Sequence, residues 1–212
     1  MKLIDISQTL NETTPTYPGD HKTTLSLYKT IEKDGFNAYL LHSGLHSGTH
    51  IDIPLHLTDD NKTAADFELE RFCGKGVLLD VRDEKTITMK TEYKKIISEQ
   101  DIVLLLTNHD KHYGNEEYFT QHPTISEEFA DYLLLKKIKM LGFDMPAPDY
   151  APYTLHKKLL ENGVFLLENL TNLQALTSVP SFQVMALPIK ISAEASFVRA
   201  VCVITGRKQE TT

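Results

Sequence analysis

Two stretches of the chain are apolar at nearly every position: residues 76–81 (GVLLDV) and residues 101–107 (DIVLLLT). Runs this short and continuous suit buried strands. Helical patterns are interleaved with them. Residues 91–99 carry Tyr93, Ile96 and Ile97 at helical spacing. Ser126 reads as an N-cap, with Glu127 and Glu128 at the positive end of the helix dipole. Phe129, Tyr132 and Leu133 then repeat at helical spacing towards Lys136. Residues 154–161 give a third helical pattern, closed by Asn162 and Gly163. Further strands are expected over residues 3–6, 23–31, 37–43, 138–143, 164–167, 182–191 and 197–205. Residues 11–20, with Pro15, Pro18 and Gly19, read as a loop. The expected class is mixed α/β, with more strand than helix. No repeat or linker divides the chain, so one domain over residues 1–212 is expected.

The chain has 22 basic and 29 acidic residues, a formal net charge of −7. That balance argues against a nucleic-acid or anionic-membrane partner, since nonspecific phosphate binding needs a basic surface. No apolar run approaches the ~20 residues that span a bilayer. The first residues lack the basic, apolar, small-residue order of a signal peptide, so a cytoplasmic location is expected. Cys73 and Cys202 are too few and too far apart for a disulfide framework and are expected to be free thiols.

One segment carries chemistry: residues 46–56, HSGTHIDIPLH. Its even positions are His46, Gly48, His50, Asp52, Pro54 and His56; its odd positions are largely apolar. On an extended chain alternate side chains share a face, so one face holds ligand chemistry and the other is an anchor. Same-face neighbours lie ~6.6 Å apart along a strand, so His50 and Asp52 reach one metal ion easily. His46 is at the edge of reach unless Gly48 lets the chain bend. His56 should not join the same ion unless the chain turns sharply, and a neighbouring acid or base suits it better. Two histidines and a carboxylate suit zinc, manganese or iron and leave an open position for water. A metal lowers the pKa of such a water towards ~7.

The segment H-x-G-T-H-x-D-x-P-x-H resembles the signature of the metal-dependent cyclase-like hydrolases, which include bacterial kynurenine formamidases and isatin hydrolases. Every fixed position is matched by His46, Gly48, Thr49, His50, Asp52, Pro54 and His56. Ile4-Asp5-Ile6-Ser7 and Tyr17-Pro18-Gly19-Asp20 resemble the family's opening strand and its aromatic-Pro-Gly-Asp loop. Glu117-Tyr118-Phe119, His122-Pro123, Gly142-Phe143-Asp144 and Glu168-Asn169-Leu170 resemble later blocks.

The resemblance implies a swivelling β/β/α fold with a β-barrel-like core and flanking helices, assembled as a homodimer or homotetramer. It implies one or two zinc ions per subunit, or manganese. His46, His50 and Asp52 match the ligands of the first ion, and His156 and Glu168, with bridging Asp52, those of a second. His56 matches the acid/base. Taken alone, His156 reads as a solvated helix histidine and Glu168 as a surface carboxylate. The implied activity is hydrolysis of a small amide, N-formylkynurenine first, with a cyclic amide such as isatin as the alternative. A metal-holding module without turnover is a further reading, which His56 speaks against, and a cyclase-dehydratase ranks below it. Formamidases of this family carry tryptophan before Pro-Gly-Asp; here Tyr17 takes that substrate-stacking place, and the chain has no tryptophan. His109 and His112, and likewise His21 and His122, are expected to be solvated, Asp144 and Asp149 to make turns, and Glu194 to be a solvated loop residue.

Overall fold

The computed structural model describes residues 1–204. In chain order the strands are β1 (Lys2–Asp5), β2 (Thr24–Lys29), β3 (Ala38–His42), β4 (His50–Asp52), β5 (Cys73–Asp80), β6 (Thr86–Ile87) and β7 (Ile102–Leu106). They continue with β8 (Thr124–Ile125), β9 (Met140–Phe143), β10 (Phe165–Glu168), β11 (Phe182–Met185), β12 (Ala195–Phe197) and β13 (Val201–Ile204). Nine of them form one curled sheet in the order β1-β13-β11-β5-β7-β9-β10-β4-β12. The middle four, β5, β7, β9 and β10, are parallel, and antiparallel strands flank them.

The apolar runs are explained by what covers each face. Val103 and Leu105 of β7 point into a core shared with Val77, Leu79, Leu141 and Phe143, roofed by the helices Glu127–Leu135 and Thr154–Glu161. Ile102, Leu104 and Leu106 point the other way. There the sheet curls round its own second core, with Ile51, Leu167, Phe182 and Val184 closing it. The half-barrel is therefore a sheet whose inner face is filled by its own strands. Close packing shows at Gly142, where an added Cβ would lie 2.6 Å from the Leu104 side chain.

The Ser126 hydroxyl accepts from the Phe129 amide at 3.2 Å, as the N-cap reading requires, and the helix 154–161 lies where expected. Other expectations need correction. The helix expected over residues 91–99 is one turn, Tyr93–Ile96. Ile97 leaves it extended, and the Asp101 carboxylate takes the Ser98 amide at 2.8 Å. The strand expected over 182–191 stops at Met185, before Pro188. The one expected over 197–205 is two strands on distant parts of the sheet, β12 beside β4 and β13 beside β11; Thr205 lies outside the described residues. Between them Val198 donates to Thr49, and the Ala200 carbonyl accepts from Ile6. Both cysteines are free.

The hairpin β2–β3 is a separate two-stranded sheet. Leu27, Tyr28, Tyr39, Leu40 and Leu41 are exposed on it, with Ile31 and Phe36 exposed between the strands.

Candidate metal centre

The signature segment does not stay extended. Only His50–Asp52 is strand, locked between β10 and β12. The register sets Glu168, at the end of β10, directly opposite His50. Before β4, Gly48 takes φ 64°, in the left-handed region, and turns His46 back. After it, Pro54–His56 winds into a 3₁₀ turn with Pro54 at its first position. Thr58 ties this turn by donating to the Pro54 carbonyl at 2.7 Å. These two bends correct the period-two reading. The sharp turn that would bring His56 back is made, and its ring lies 4.2 Å from that of His46, centroid to centroid.

The backbone beneath is held by Thr49, whose hydroxyl accepts from the Gln8 amide at 2.8 Å and donates to the Asn169 carbonyl at 2.7 Å. Asn169 Nδ2 donates to the Gly48 carbonyl at 2.9 Å, and the Tyr118 hydroxyl donates to Asn169 Oδ1 at 2.7 Å. His50 Nδ1 lies 2.9 Å from that same Gly48 carbonyl. A carbonyl accepts only from N–H, so Nδ1 carries the proton and Nε2 offers its lone pair.

The five residues expected as ligands converge. Asp52 is central: its Oδ1 lies 3.0 Å from His46 Nδ1 and 3.4 Å from His50 Nε2, and its Oδ2 lies 3.3 Å from His156 Nε2. Glu168 reaches His50 Nε2 at 3.5 Å and His156 Nε2 at 3.8 Å. His56 Nε2 is 3.8 Å from Asp52 Oδ2. Two overlapping sets, His46-Asp52-His56 and His50-Asp52-Glu168, each bring three ligand atoms within 4.8 Å of one another. His50 and Asp52 are 1% exposed, Glu168 4% and His156 5%. The solvated readings of His156 and Glu168 are therefore overturned: the β10 terminus and the inner face of the helix Thr154–Glu161 bury both.

This geometry answers whether the residues fit a metal. His50 Nε2, both Asp52 oxygens, His156 Nδ1 and Nε2, and Glu168 Oε1 are buried without a hydrogen-bond partner. Each such atom costs ~1–3 kcal/mol, so a cluster of them facing one another calls for something to complement it. A divalent cation among mixed nitrogen and oxygen donors does so.

Without a cation, the charges of the cluster are strongly perturbed. Burial alone would lower His46, but the carboxylates of Asp52 and Glu194 outweigh it and hold the imidazole at about 9. Burial lowers His50 to about 4. Burial opposes the Asp52 charge, yet His46 and His50 hold it well below the usual carboxylate range. Burial, with the charges of Asp52 and Asp149, pushes Glu168 well above its usual range. His56 is lowered by burial.

The cluster forms the floor of a cavity of about 270 Å³. Its walls include Leu57, Phe119, Pro146 and Ala147, with Tyr17 and Tyr153 towards the mouth. Glu194, expected to be a solvated loop residue, instead sets its Oε1 3.3 Å from His46 Nε2. No local pattern marks it, because the long crossing to β12 brings it there. Asp149 has the structural use expected of it: it accepts from the Leu155 amide at 2.7 Å and steadies the start of the His156 helix. His109 and His122 are buried rather than solvated, bonded to the carbonyls of Tyr118 and Pro123. Asp144 does not make the turn of its own loop: its buried carboxylate accepts from the Thr107 and Asn108 amides and fixes the chain where β7 ends.

The Cyclase family model matches residues 4–150. The chain belongs to the cyclase family. The kynurenine formamidase of Bacillus cereus is 31% identical over 205 residues, covering 93% of this chain and 95% of that one. That of Bacillus anthracis is 31% identical over 207 residues, covering 94% and 96%. Among solved structures, an isatin hydrolase bound to the product analogue thioisatinate superposes with a TM-score of 0.85 at 22% identity, covering 97% of this chain and 93% of that one. A potential metal-dependent hydrolase with cyclase activity superposes at 0.77 with 25% identity, covering 97% and 99%. The swivelling, barrel-like cyclase fold expected from the signature is the fold found.

Proposed function

We propose that this hydrolase of the cyclase family is metal-dependent and cleaves the carbon–nitrogen bond of a small aromatic amide, with N-formylkynurenine the first candidate. The observation that carries the reading is the set of buried, unbonded His50, Asp52, His156 and Glu168 atoms converging on the floor of an aromatic-walled cavity. His46, His50, Asp52, His156 and Glu168 would hold one or two divalent ions, zinc or manganese by their donor chemistry. When bound, such an ion makes water a nucleophile at neutral pH and polarises a carbonyl oxygen.

The chain's own residues do the rest. Asp52 and Glu194 orient His46 from either ring nitrogen. His56 faces the cavity from the 3₁₀ turn, lowered by burial and so neutral, and takes a proton from water and returns it to the leaving nitrogen. Tyr17 and Phe119 flank an aryl ring and help exclude water. The products from N-formylkynurenine are kynurenine and formate. We also propose that a second copy of the chain covers the apolar β2–β3 hairpin, since a lone hairpin is marginal in water.

The test is formate release from N-formylkynurenine by metal-stripped protein, before and after zinc or manganese is added. Metal-dependent turnover that disappears in His56→Ala, with metal still bound, supports the reading. Stoichiometric metal without turnover would exclude that substrate and turn the assay to ring opening of isatin-like cyclic amides.

A further inference from the structure

Three histidines outside the Asp52 cluster share a different cavity. After β7 the chain winds into a 3₁₀ turn, His109–His112. Side chains at i and i+3 eclipse in such a turn, so the His109 and His112 rings stand side by side, 5.2 Å apart between centroids. The same 5.2 Å separates His46 from His50, the pair that converges on Asp52. His122, two residues past the helical turn Glu117–Thr120, brings its ring back to 6.3 Å from that of His109. All three line a cavity of about 580 Å³, with Asp83 on its wall.

The inner pair is set as metal-binding histidines usually are. His109 is 7% exposed and His122 5%. His109 Nε2 lies 2.9 Å from the Tyr118 carbonyl, and His122 Nδ1 lies 2.8 Å from the Pro123 carbonyl. Those nitrogens carry the protons, so the lone pairs sit on His109 Nδ1 and His122 Nε2. Neither of these two atoms has a hydrogen-bond partner among the described residues. A ring N–H given to a carbonyl fixes the tautomer and aims the other nitrogen, the usual second contact of a metal-bound histidine. Burial lowers both imidazoles, His122 to about 4, so both are neutral and able to ligate at pH 7. His112 is half exposed and only loosely tied, its Nδ1 3.6 Å from the Glu117 carboxylate.

We propose that His109, His112 and His122 form a second divalent-cation site, for an ion that favours imidazole, with zinc as its probe, and with one position left to water or Asp83. Imidazole nitrogens suit zinc or copper rather than magnesium or calcium. Among the described residues the pre-assembled three-ligand groups all contain Asp52, so here His112 completes the set by rotating towards the buried pair. The ion closes residues 109–122 into a loop. That loop carries Phe119 into the wall of the Asp52 cavity and the Tyr118 hydroxyl onto Asn169. Its role is therefore to tie down a cavity wall without touching substrate, and it does not depend on the reaction proposed above.

The test titrates tag-free, metal-stripped, full-length protein with zinc against a chromophoric chelator. Wild type should take up one zinc more than His112→Ala, a variant at a half-exposed position that leaves the fold alone. Asp52→Asn, which cripples the other cluster, should show the same difference of one zinc when His112→Ala is added. Losing a partner that merely orients a metal-bound histidine costs roughly 10–100-fold in affinity, so losing His112 should cost at least that. Nitrogen-resolved NMR of the imidazoles in Asp52→Asn then names the ligands: zinc should shift His109 Nδ1 and His122 Nε2 and leave their carbonyl-bonded nitrogens protonated. Should Asp52→Asn fail to fold, the same spectra of wild type decide, because these nitrogens lie outside the Asp52 cluster. Equal zinc uptake by wild type and His112→Ala overturns the site. Zinc uptake that leaves those two nitrogens unmoved, or moves only exposed histidines, overturns it as well, and both results leave the Asp52 cluster standing.

Discussion

Glu168→Gln should change the protein's stability in opposite directions with and without metal. Without metal, Glu168 is a carboxylate 4% exposed, its Oε1 has no hydrogen-bond partner, and Asp52 and Asp149 repel its charge. Burial and those charges raise its pKa, so the folded state disfavours the ionised form at neutral pH. Glutamine keeps the shape and removes the charge. Relieving one unsatisfied buried carboxylate is worth about 1 kcal/mol at the low end, or a Tm higher by roughly 2–4 °C for a chain of this size. With metal the sign reverses. A ligand at a hundred times its Kd stabilises by about 2.7 kcal/mol, a rise of roughly 5–10 °C in the wild type. The variant should lose most of that rise, because an amide oxygen is a poor replacement for a carboxylate ligand. Thermal unfolding of chelator-treated and metal-loaded protein, wild type and variant, measures all four values. A variant that lowers Tm equally in both states would refute the argument and make Glu168 a structural carboxylate.

Three further outcomes follow from particular contacts. His122 is buried against Tyr150 and lowered to about 4 from an ordinary 6.5, so the unfolded state binds the extra proton between those values. Its contribution is intact above pH 6.5 and is lost as pH falls towards 4, by up to about 3 kcal/mol, and His122→Gln should flatten that limb of a pH series of urea melts. Gly76→Ala would set a Cβ 2.0 Å from the Phe182 ring; it should lower stability by about 2–4 kcal/mol in urea unfolding, with Phe182→Leu in the same chain recovering part of the loss. Leu40→Lys on the exposed hairpin should shift sedimentation equilibrium towards monomer, and an unchanged mass would count against a second copy on that face.

What could be read from the sequence, and what could not, follows from the range of the forces involved. The runs at residues 76–81 and 101–107 announced buried strands because burial on both faces leaves no polar position. Ser126 and Gly163 marked helix ends because caps are local. His50 and Asp52 were legible as partners for the same reason: two residues apart on β4, they share a face. His156 and Glu168 carried no such signal. They meet Asp52 because β10 pairs with β4 in one register and the helix before it packs beneath, and only the resemblance had pointed to them. His56 shows the limit from the other side. Spacing along an ideal strand kept it apart from His46, and the error lay in the assumption of straightness. Gly48 and Pro54 sit at the two positions where the extension fails, one permitting a positive φ and the other opening a 3₁₀ turn. Residues first read as spacers are the hinges that fold an eleven-residue segment back on itself, so a shared Asp52 can face three histidines at once.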